Sequence, residues 1–306
     1  MIVTVTPNPS LDRTLVLAAP LRPGTLHRAA TSGTEASGKG VNVTRVLRAH
    51  GIAATAVLPL GGGPGAELRA LLVAEDVPFA AVTIAGRVRS NVTVLDPEAG
   101  TTKLNEAGPE LSAKEQADLV AITARIVRGT GARWLAVCGS LPPGCPPSLV
   151  TRLVAAGHAA GAAVAVDSSG EGLAEAVRAG ADLVAPNAAE LAELSGQPVT
   201  GPAQAAAVAA DLFTGTALVS LGEQGAVLVR PDGTAMHAVP PGVTVVNTAG
   251  AGDALLAGWL AAEGPARARL ARAVAWGTSA CLAEGTAELP AHPVSPDRVT
   301  TTELEE

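Results

Sequence analysis

Cysteine is scarce in this 306-residue chain: Cys138, Cys145 and Cys281 are all there is. Three cysteines make neither a disulfide framework nor a paired CxxC zinc site, which points to a reducing, cytoplasmic setting. A basic run is missing as well, and the net charge is −7. Nucleic-acid phosphates demand clustered cations, so a nucleic-acid partner is excluded. Among the 21 lysines and arginines only Lys39, Lys103 and Lys114 are lysine. The start, Met1-Ile2-Val3-Thr4-Val5-Thr6-Pro7, lacks the basic and apolar regions of a signal peptide. The longest uncharged runs fail as membrane spans: Trp134 to Thr151 carries four prolines, and Leu153 to Val166 is short and broken by Gly157, His158 and Gly161. No membrane partner is expected. The histidines at 27, 50, 158, 237 and 292 show no metal spacing.

What the chain has is enough apolar residue, 48%, to bury a large core. Short Val/Leu/Ala-rich runs bounded by turn residues predict buried strands at Ile2–Thr6, Thr55–Leu60, Trp134–Cys138, Ala163–Asp167, Leu183–Ala185 and Ala217–Leu221. Between them, helical spacing covers Val41–His50, Ala66–Glu75, Ala113–Arg128, Pro147–Ala160, Ala188–Leu194 and Ala203–Phe213. Ser112 with Glu115 forms a capping box for the third helix. This alternation implies an α/β fold, a mostly parallel sheet with helices on both faces. No internal repeat or low-complexity linker divides it, so residues 1–306 are expected to form one domain. Leu15–Ala30 and Arg87–Leu104 break the rhythm as strands without helices, either a small β layer that folds over a site or surface decoration. Ala226–Arg230 and Ala235–Val239 read as a hairpin about Pro231-Asp232-Gly233-Thr234. The tail from Pro290 to Glu306 is expected to be frayed or docked on the surface.

Three loops have chemical potential. Gly33-Thr34-Glu35-Ala36-Ser37-Gly38-Lys39-Gly40 nearly matches a P-loop, but Gly40 replaces the magnesium-binding hydroxyl and no apolar strand feeds into it. What remains is a glycine loop with one lysine at a helix start, suited to an anion or polyol, or else a plain tight turn. Asn247-Thr248-Ala249-Gly250-Ala251-Gly252-Asp253 runs straight into a helix. Its small residues leave amide N–H groups free at a helix N-terminus, an anion hole with Asp253 beside it. That carboxylate is a helix cap, or the base that phosphoryl transfer requires next to fixed dipoles. The third group is cationic: Arg87, Arg89 and Lys103, with Asn91 and Asn105, form either a phosphate pocket or a solvated strand face. Elsewhere, Cys138-Gly139-Ser140-Leu141-Pro142 ends a strand where open α/β sheets place ligands. Asn187 and Glu190 have the spacing of an N-cap and its N3 partner, and Ser220-Leu221-Gly222-Glu223-Gln224-Gly225 ends another strand in a loop that admits a nucleotide.

In order, Thr6-Pro7-Asn8-Pro9-Ser10-Leu11-Asp12, Gly38-Lys39-Gly40-Val41-Asn42-Val43, Gly139-Ser140-Leu141-Pro142, Pro186-Asn187-x-x-Glu190, Ser220-Leu221-Gly222-x-x-Gly225 and Gly250-Ala251-Gly252-Asp253 resemble the ribokinase-like (phosphofructokinase-B) carbohydrate kinases over essentially the whole chain. The opening motif resembles the branch acting on phosphorylated ketohexoses. Within that branch, Arg89-Ser90-Asn91 and the stretch from Thr102 to Glu110 most resemble the kinases of fructose 1-phosphate. The resemblance implies a single ribokinase-like domain whose lid occupies about 13–31 and 86–105. It implies ATP-dependent phosphorylation of fructose 1-phosphate to the 1,6-bisphosphate, with tagatose 6-phosphate or fructose 6-phosphate as alternatives. A non-catalytic phosphosugar sensor is the reading against which the intact Gly250–Asp253 loop argues.

The resemblance also implies roles. Asp253 would be the base, and the amides of Gly250, Ala251 and Gly252 the anion hole. Asp12, Gly38, Lys39, Asn42 and Asn91 would hold the sugar, with Arg89 and Lys103 on its existing phosphate. Ser220, Gly222, Gly225, Asn187 and Gly252 would line the ATP site, and Glu190 would position Mg2+. A homodimer through the lid is implied as well. The branch often carries lysine before Pro186-Asn187, where this chain has Ala185, so ATP binding must rely on other groups.

Overall fold

The computed structural model describes residues 1–261 and 263–304. In chain order the strands are β1 (Ile2–Val5), β2 (Ser10–Leu17), β3 (Ala29–Ser37), β4 (Ala54–Leu60), β5 (Phe79–Thr83), β6 (Arg89–Asp96), β7 (Gly100–Asn105), β8 (Trp134–Cys138), β9 (Ala163–Asp167), β10 (Leu183–Val184), β11 (Thr216–Ser220), β12 (Ala226–Val229), β13 (Ala235–Val239) and β14 (Thr300–Leu304). The helices are α1 (Lys39–Ala49), α2 (Gly62–Ala74), α3 (Ala113–Thr130), α4 (Ser148–Ala159), α5 (Gly170–Arg178), α6 (Ala188–Ser195), α7 (Pro202–Leu212), α8 (Ala251–Ala261) and α9 (Ala266–Ala280). None of the described helices is long and apolar enough to cross a membrane.

Ten strands form one sheet in the order β14-β13-β12-β11-β10-β9-β8-β1-β4-β5. From β5 to β11 the pairing is parallel, and β12 to β14 close the other end antiparallel. The parallel strands are short apolar runs because both faces are covered. On one face, Leu119, Leu149, Leu153 and Leu173 bring α3, α4 and α5 onto the sheet. On the other, Val43, Leu47, Leu256, Trp259 and Leu270 anchor α1, α8 and α9. Helix α8 is buried from Asp253 through Ala261. That explains its apolar sequence and places a carboxylate inside the protein.

The hairpin β12–β13 and the α/β class agree with expectation, as does the capping box: Ser112 Oγ accepts from the Glu115 amide, and Glu115 Oε2 accepts from the Ser112 amide. One reading is corrected. Gly33–Ser37 is not loop but the end of β3, which leads directly into α1; the strand escapes a strand pattern because residues 29–33 are exposed and only Ala36 and Ser37 at its end are buried. Of the two expectations for the tail, docking holds: Thr300–Leu304 pairs with β13, Val239 against Thr300 and Ala235 against Leu304. Glu305 and Glu306 lie outside the described residues.

The second sheet has the order β3-β2-β6-β7. Its strands span Ser10–Ser37 and Arg89–Asn105, so the first segment is wider than the expected 13–31. Leu11 and Ala36 join Leu58, Leu68 and Leu72 in a third apolar cluster that fastens this sheet to the core. Burying a leucine such as Leu11 contributes about 1.5–3 kcal/mol. Chain connections between the two layers pack closely. Gly38 adopts φ +130°, and a Cβ there would stand 2.8 Å from Thr6 Cγ2 and 3.3 Å from Pro9 Cα. Packing and backbone geometry alone therefore require glycine at 38.

Candidate active site

The carboxyl-terminal ends of the parallel strands and the start of α8 meet in a cleft of about 190 Å³ lined by Lys39, Asp167, Asn187, Glu190, Asp253 and the 250–252 turn, among others. It opens where three neighbouring parallel strands end: Asp167 ends β9, Ala185 follows β10 and Ser220 ends β11.

The turn before α8 is held open from behind. Asn247 Oδ1 accepts from the Ala249 amide at 2.9 Å, and its Nδ2 donates to the Glu284 carbonyl at 2.9 Å. Gly250 takes φ +80°, and a Cβ there would lie 2.7 Å from both Cβ and N of Ala287. Ala287 is itself left-handed, φ +54°. Gly250 and Gly252 both line the cleft, and among the described residues their amides have no acceptor in the chain. Ala251 is different: its amide turns back to the Thr248 carbonyl at 3.3 Å, so the expected three-amide anion hole reduces to Gly250 and Gly252 at this turn. Free amides at the positive end of a helix dipole attract an anion.

Asp253, 6% exposed, sits in the first turn of α8. Asn42 Nδ2 donates to its Oδ2 at 2.8 Å. Burial, with the Asp167 charge second, pushes the Asp253 carboxyl up to about 7; the Asn42 hydrogen bond, Lys39 and Arg45 pull the other way. A carboxylate with a pKa near neutrality can take up and release a proton there, the property a general base requires. The structure does not use Asp253 as a helix cap: the cleft and Asn42 are its surroundings.

Lys39, expected beside the sugar, lies in the same cleft as Asn187, Glu190 and Ser220. Its ammonium is 2.6 Å from Asp167 Oδ1 and 3.9 Å from Glu190 Oε1. Burial lowers its pKa, but Asp167 more than reverses this and holds the lysine protonated. Asp167 is the site residue the sequence reading missed. The available signal was a carboxylate ending an otherwise apolar strand, Ala163–Asp167, at the ligand-bearing edge of the sheet. Asn187 and Glu190 form a capping box at α6, Asn187 Oδ1 accepting at 2.9 Å and Glu190 Oε2 accepting at 2.9 Å. The cap fixes Glu190 and leaves Oε1 facing Lys39; burial raises its carboxyl, opposed by the Asn187 amide. Ala185 and Ser220 line the cleft, whereas Gly222 and Gly225 do not.

Asp12, Arg89, Asn91 and Lys103 stand on the second sheet. Cross-strand pairing puts Ser10 opposite Arg89, Asp12 opposite Asn91, Asn91 opposite Asn105 and Thr93 opposite Lys103, so these residues share one face. Asp12 Oδ1 accepts from Ser10 Oγ at 2.7 Å and Asn91 Nδ2 at 2.9 Å. Arg89 Nε and Asn91 Oδ1 are buried without a partner, which costs free energy until a ligand supplies one. Burial lowers the Arg89 pKa, offset by Asp12, and the guanidinium remains charged. Lys103 is exposed, and no hydrogen bond or ion pair holds it among the described residues. Arg87 and Asn105 are exposed too.

Comparison with known proteins gives a consistent result. The pfkB family carbohydrate kinase profile matches residues 6–292. The 1-phosphofructokinase of Haloferax volcanii is 40% identical over 266 residues, covering 86% of this chain and 84% of its own. The ATP-dependent 6-phosphofructokinase isozyme 2 of Escherichia coli is 34% identical over 294 residues, covering 93% and 94%. The structure of Escherichia coli phosphofructokinase-2 in complex with substrates and products superposes with a TM-score of 0.84 at 33% identity, covering 92% of this chain and 93% of that one.

Proposed function

The chain belongs to the pfkB family of carbohydrate kinases, and from that premise we propose that it transfers the terminal phosphoryl group of ATP to C6 of fructose 1-phosphate, giving fructose 1,6-bisphosphate and ADP. One observation supports the reading above all: a buried carboxylate, Asp253, stands at the mouth of a helix whose Gly250 and Gly252 amides are free and line the same cleft.

The sugar's C6 hydroxyl gives its proton to Asp253 as its oxygen bonds to the γ-phosphorus, and the bond from that phosphorus to the β,γ-bridging oxygen breaks, leaving the electron pair on ADP. The Gly250 and Gly252 amides stabilise the charge spreading over the equatorial oxygens. Lys39, kept protonated by Asp167, adds a cation in the same cleft. With Ala185 in place of a lysine, Lys39 is the cation the cleft offers the nucleotide phosphates. Magnesium fits the donor set. No group of three His, Cys, Asp or Glu is gathered for a metal among the described residues. An ion that keeps waters and phosphate oxygens needs only one or two carboxylates, which Glu190 provides. When bound, it would neutralise phosphate charge.

The choice of fructose 1-phosphate takes its support from two 1-phosphofructokinases at 40% and 38% identity; two others, at 34% and 31%, stand level with the 6-phosphofructokinase isozymes at 34% and 33%. Arg89 offers its unpartnered Nε to the sugar's existing phosphate, and Asn91 Oδ1 accepts from a sugar hydroxyl. Exposed Leu104, on the face of the second sheet away from Arg89 and Asn91, supports a homodimer through that layer, and three free cysteines fit a cytoplasmic protein.

The test compares fructose 1-phosphate, fructose 6-phosphate and tagatose 6-phosphate by kcat/KM, with D253N in parallel. Fructose 1-phosphate is expected to lead, and D253N to lose about 10²–10⁴ in kcat while still binding sugar phosphate. A higher kcat/KM for either 6-phosphate reassigns the substrate. Absence of turnover on all three favours a phosphosugar sensor.

A further inference from the structure

Arg45 has no part in the chemistry above, yet it touches three separate pieces of the molecule. It lies on α1 one turn beyond Asn42, with its side chain 18% exposed. Nη1 donates to Asn42 Oδ1 at 3.1 Å and Nη2 to the Ala36 carbonyl at 2.9 Å. Nε and Nη2 both reach Glu75 Oε2, at 3.0 and 2.7 Å. Ala36 is the penultimate residue of β3, where the second sheet descends into α1, and Glu75 ends α2.

The Asn42 amide is the link. An asparagine amide has one accepting end and one donating end. With Oδ1 held by a guanidinium, Nδ2 is the end left for Asp253, and it donates to Oδ2 at 2.8 Å. Were the amide free to turn over, its oxygen would face the carboxylate, a repulsive contact in a buried site. Resting on the assignment of Asp253 as base, we propose that Arg45 is a positioning residue: it orients the Asn42 amide toward Asp253 and ties that orientation to the seating of β3.

The other groups facing Asp253 do not duplicate this. Lys39, also on α1, is taken up by Asp167 of β9, whose own charge opposes ionisation of Asp253. Cys138 of β8 is buried, which pushes its thiol up and keeps it neutral. Arg45 adds its charge to the groups that favour the ionised carboxylate, so losing it acts twice, through the field and through the amide.

The experiment measures kcat, both KM values and the pH profile for R45M, R45K and D253N. R45M is expected to lose roughly 10- to 100-fold in kcat, the size of loss seen when partners that orient metal ligands are removed. The acid limb of its kcat/KM profile moves to higher pH, while KM for ATP stays at the wild-type value. R45K recovers part of the limb shift, since an ammonium restores the charge but not the three-way fork. A wild-type limb and kcat in R45M, beside a D253N that shows the expected loss in kcat, overturn the proposal alone. A wild-type kcat in D253N overturns the base assignment and the proposal with it. Should R45M fail to fold, R45K carries the test, and a wild-type limb there overturns it.

Discussion

The cleft at the large sheet and the polar face of the small sheet are built on opposite terms. Around the cleft the polar side chains are partnered: Lys39 by Asp167, Asp253 by Asn42, Asn42 by Arg45, Glu190 by its own helix cap. On the small sheet the corresponding face keeps Arg89 Nε and Asn91 Oδ1 unpartnered and leaves Lys103 in solvent. Reacting phosphates need fixed dipoles that cost no reorganisation at the moment of transfer, which a close-packed interior supplies. A substrate-reading surface instead gains by keeping donors and acceptors that only the right ligand satisfies, because an analogue leaves them buried and unpaired.

The comparison is most severely tested at the turn before α8. Gly250→Ala is expected to lower kcat by about 100-fold or more, because one anion donor is displaced. It also destabilises the fold by about 1–3 kcal/mol, since φ +80° and the Ala287 contact both resist a Cβ. A wild-type kcat in that variant, read by coupled assay, would place the phosphate elsewhere. Arg89→Ala should raise KM for the sugar phosphate about 10- to 100-fold and leave KM for ATP alone, as loss of a charge-assisted hydrogen bond does. Equal changes in both would erase the division between the layers.

The pH profile sharpens the same division. Burial favours the neutral form of Asp253, so below about 7 the carboxyl holds its proton and cannot accept another. The logarithm of kcat/KM is therefore expected to rise with unit slope up to about pH 7 and to level above it; D253N should show no such limb. The smallest effect is expected at Lys103. Exposed cations contribute about 0–1 kcal/mol, so Lys103→Ala should change KM for the sugar phosphate by roughly fivefold at most. A larger change would mean that the small sheet closes farther on its ligand than its present face suggests.

Much of this was legible in the chain. Strand–helix alternation announced the parallel sheet, and the small residues from Ala249 to Gly252 before Asp253 announced free amides at a helix start. Asn187 and Glu190 read correctly as a capping pair, which the fold also turns toward the cleft. Two features escaped. Polar β3 was taken for loop because strand patterning depends on a buried face, and residues 29–33 of this strand are all exposed. Asp167 carries one mark in the sequence, its place at the end of an apolar strand, and its partner Lys39 is 128 residues away.

Local sequence determined what short-range physics controls: which segments alternate, where helices begin, and where glycine allows a backbone turn no side chain would tolerate. The pairing of Lys39 with Asp167, the 211-residue reach from Asn42 to Asp253 and the raised carboxyl at its end were decided only by the fold. The reason is physical: a charge acquires its strength from the water removed around it and from neighbours that chain order does not place beside it.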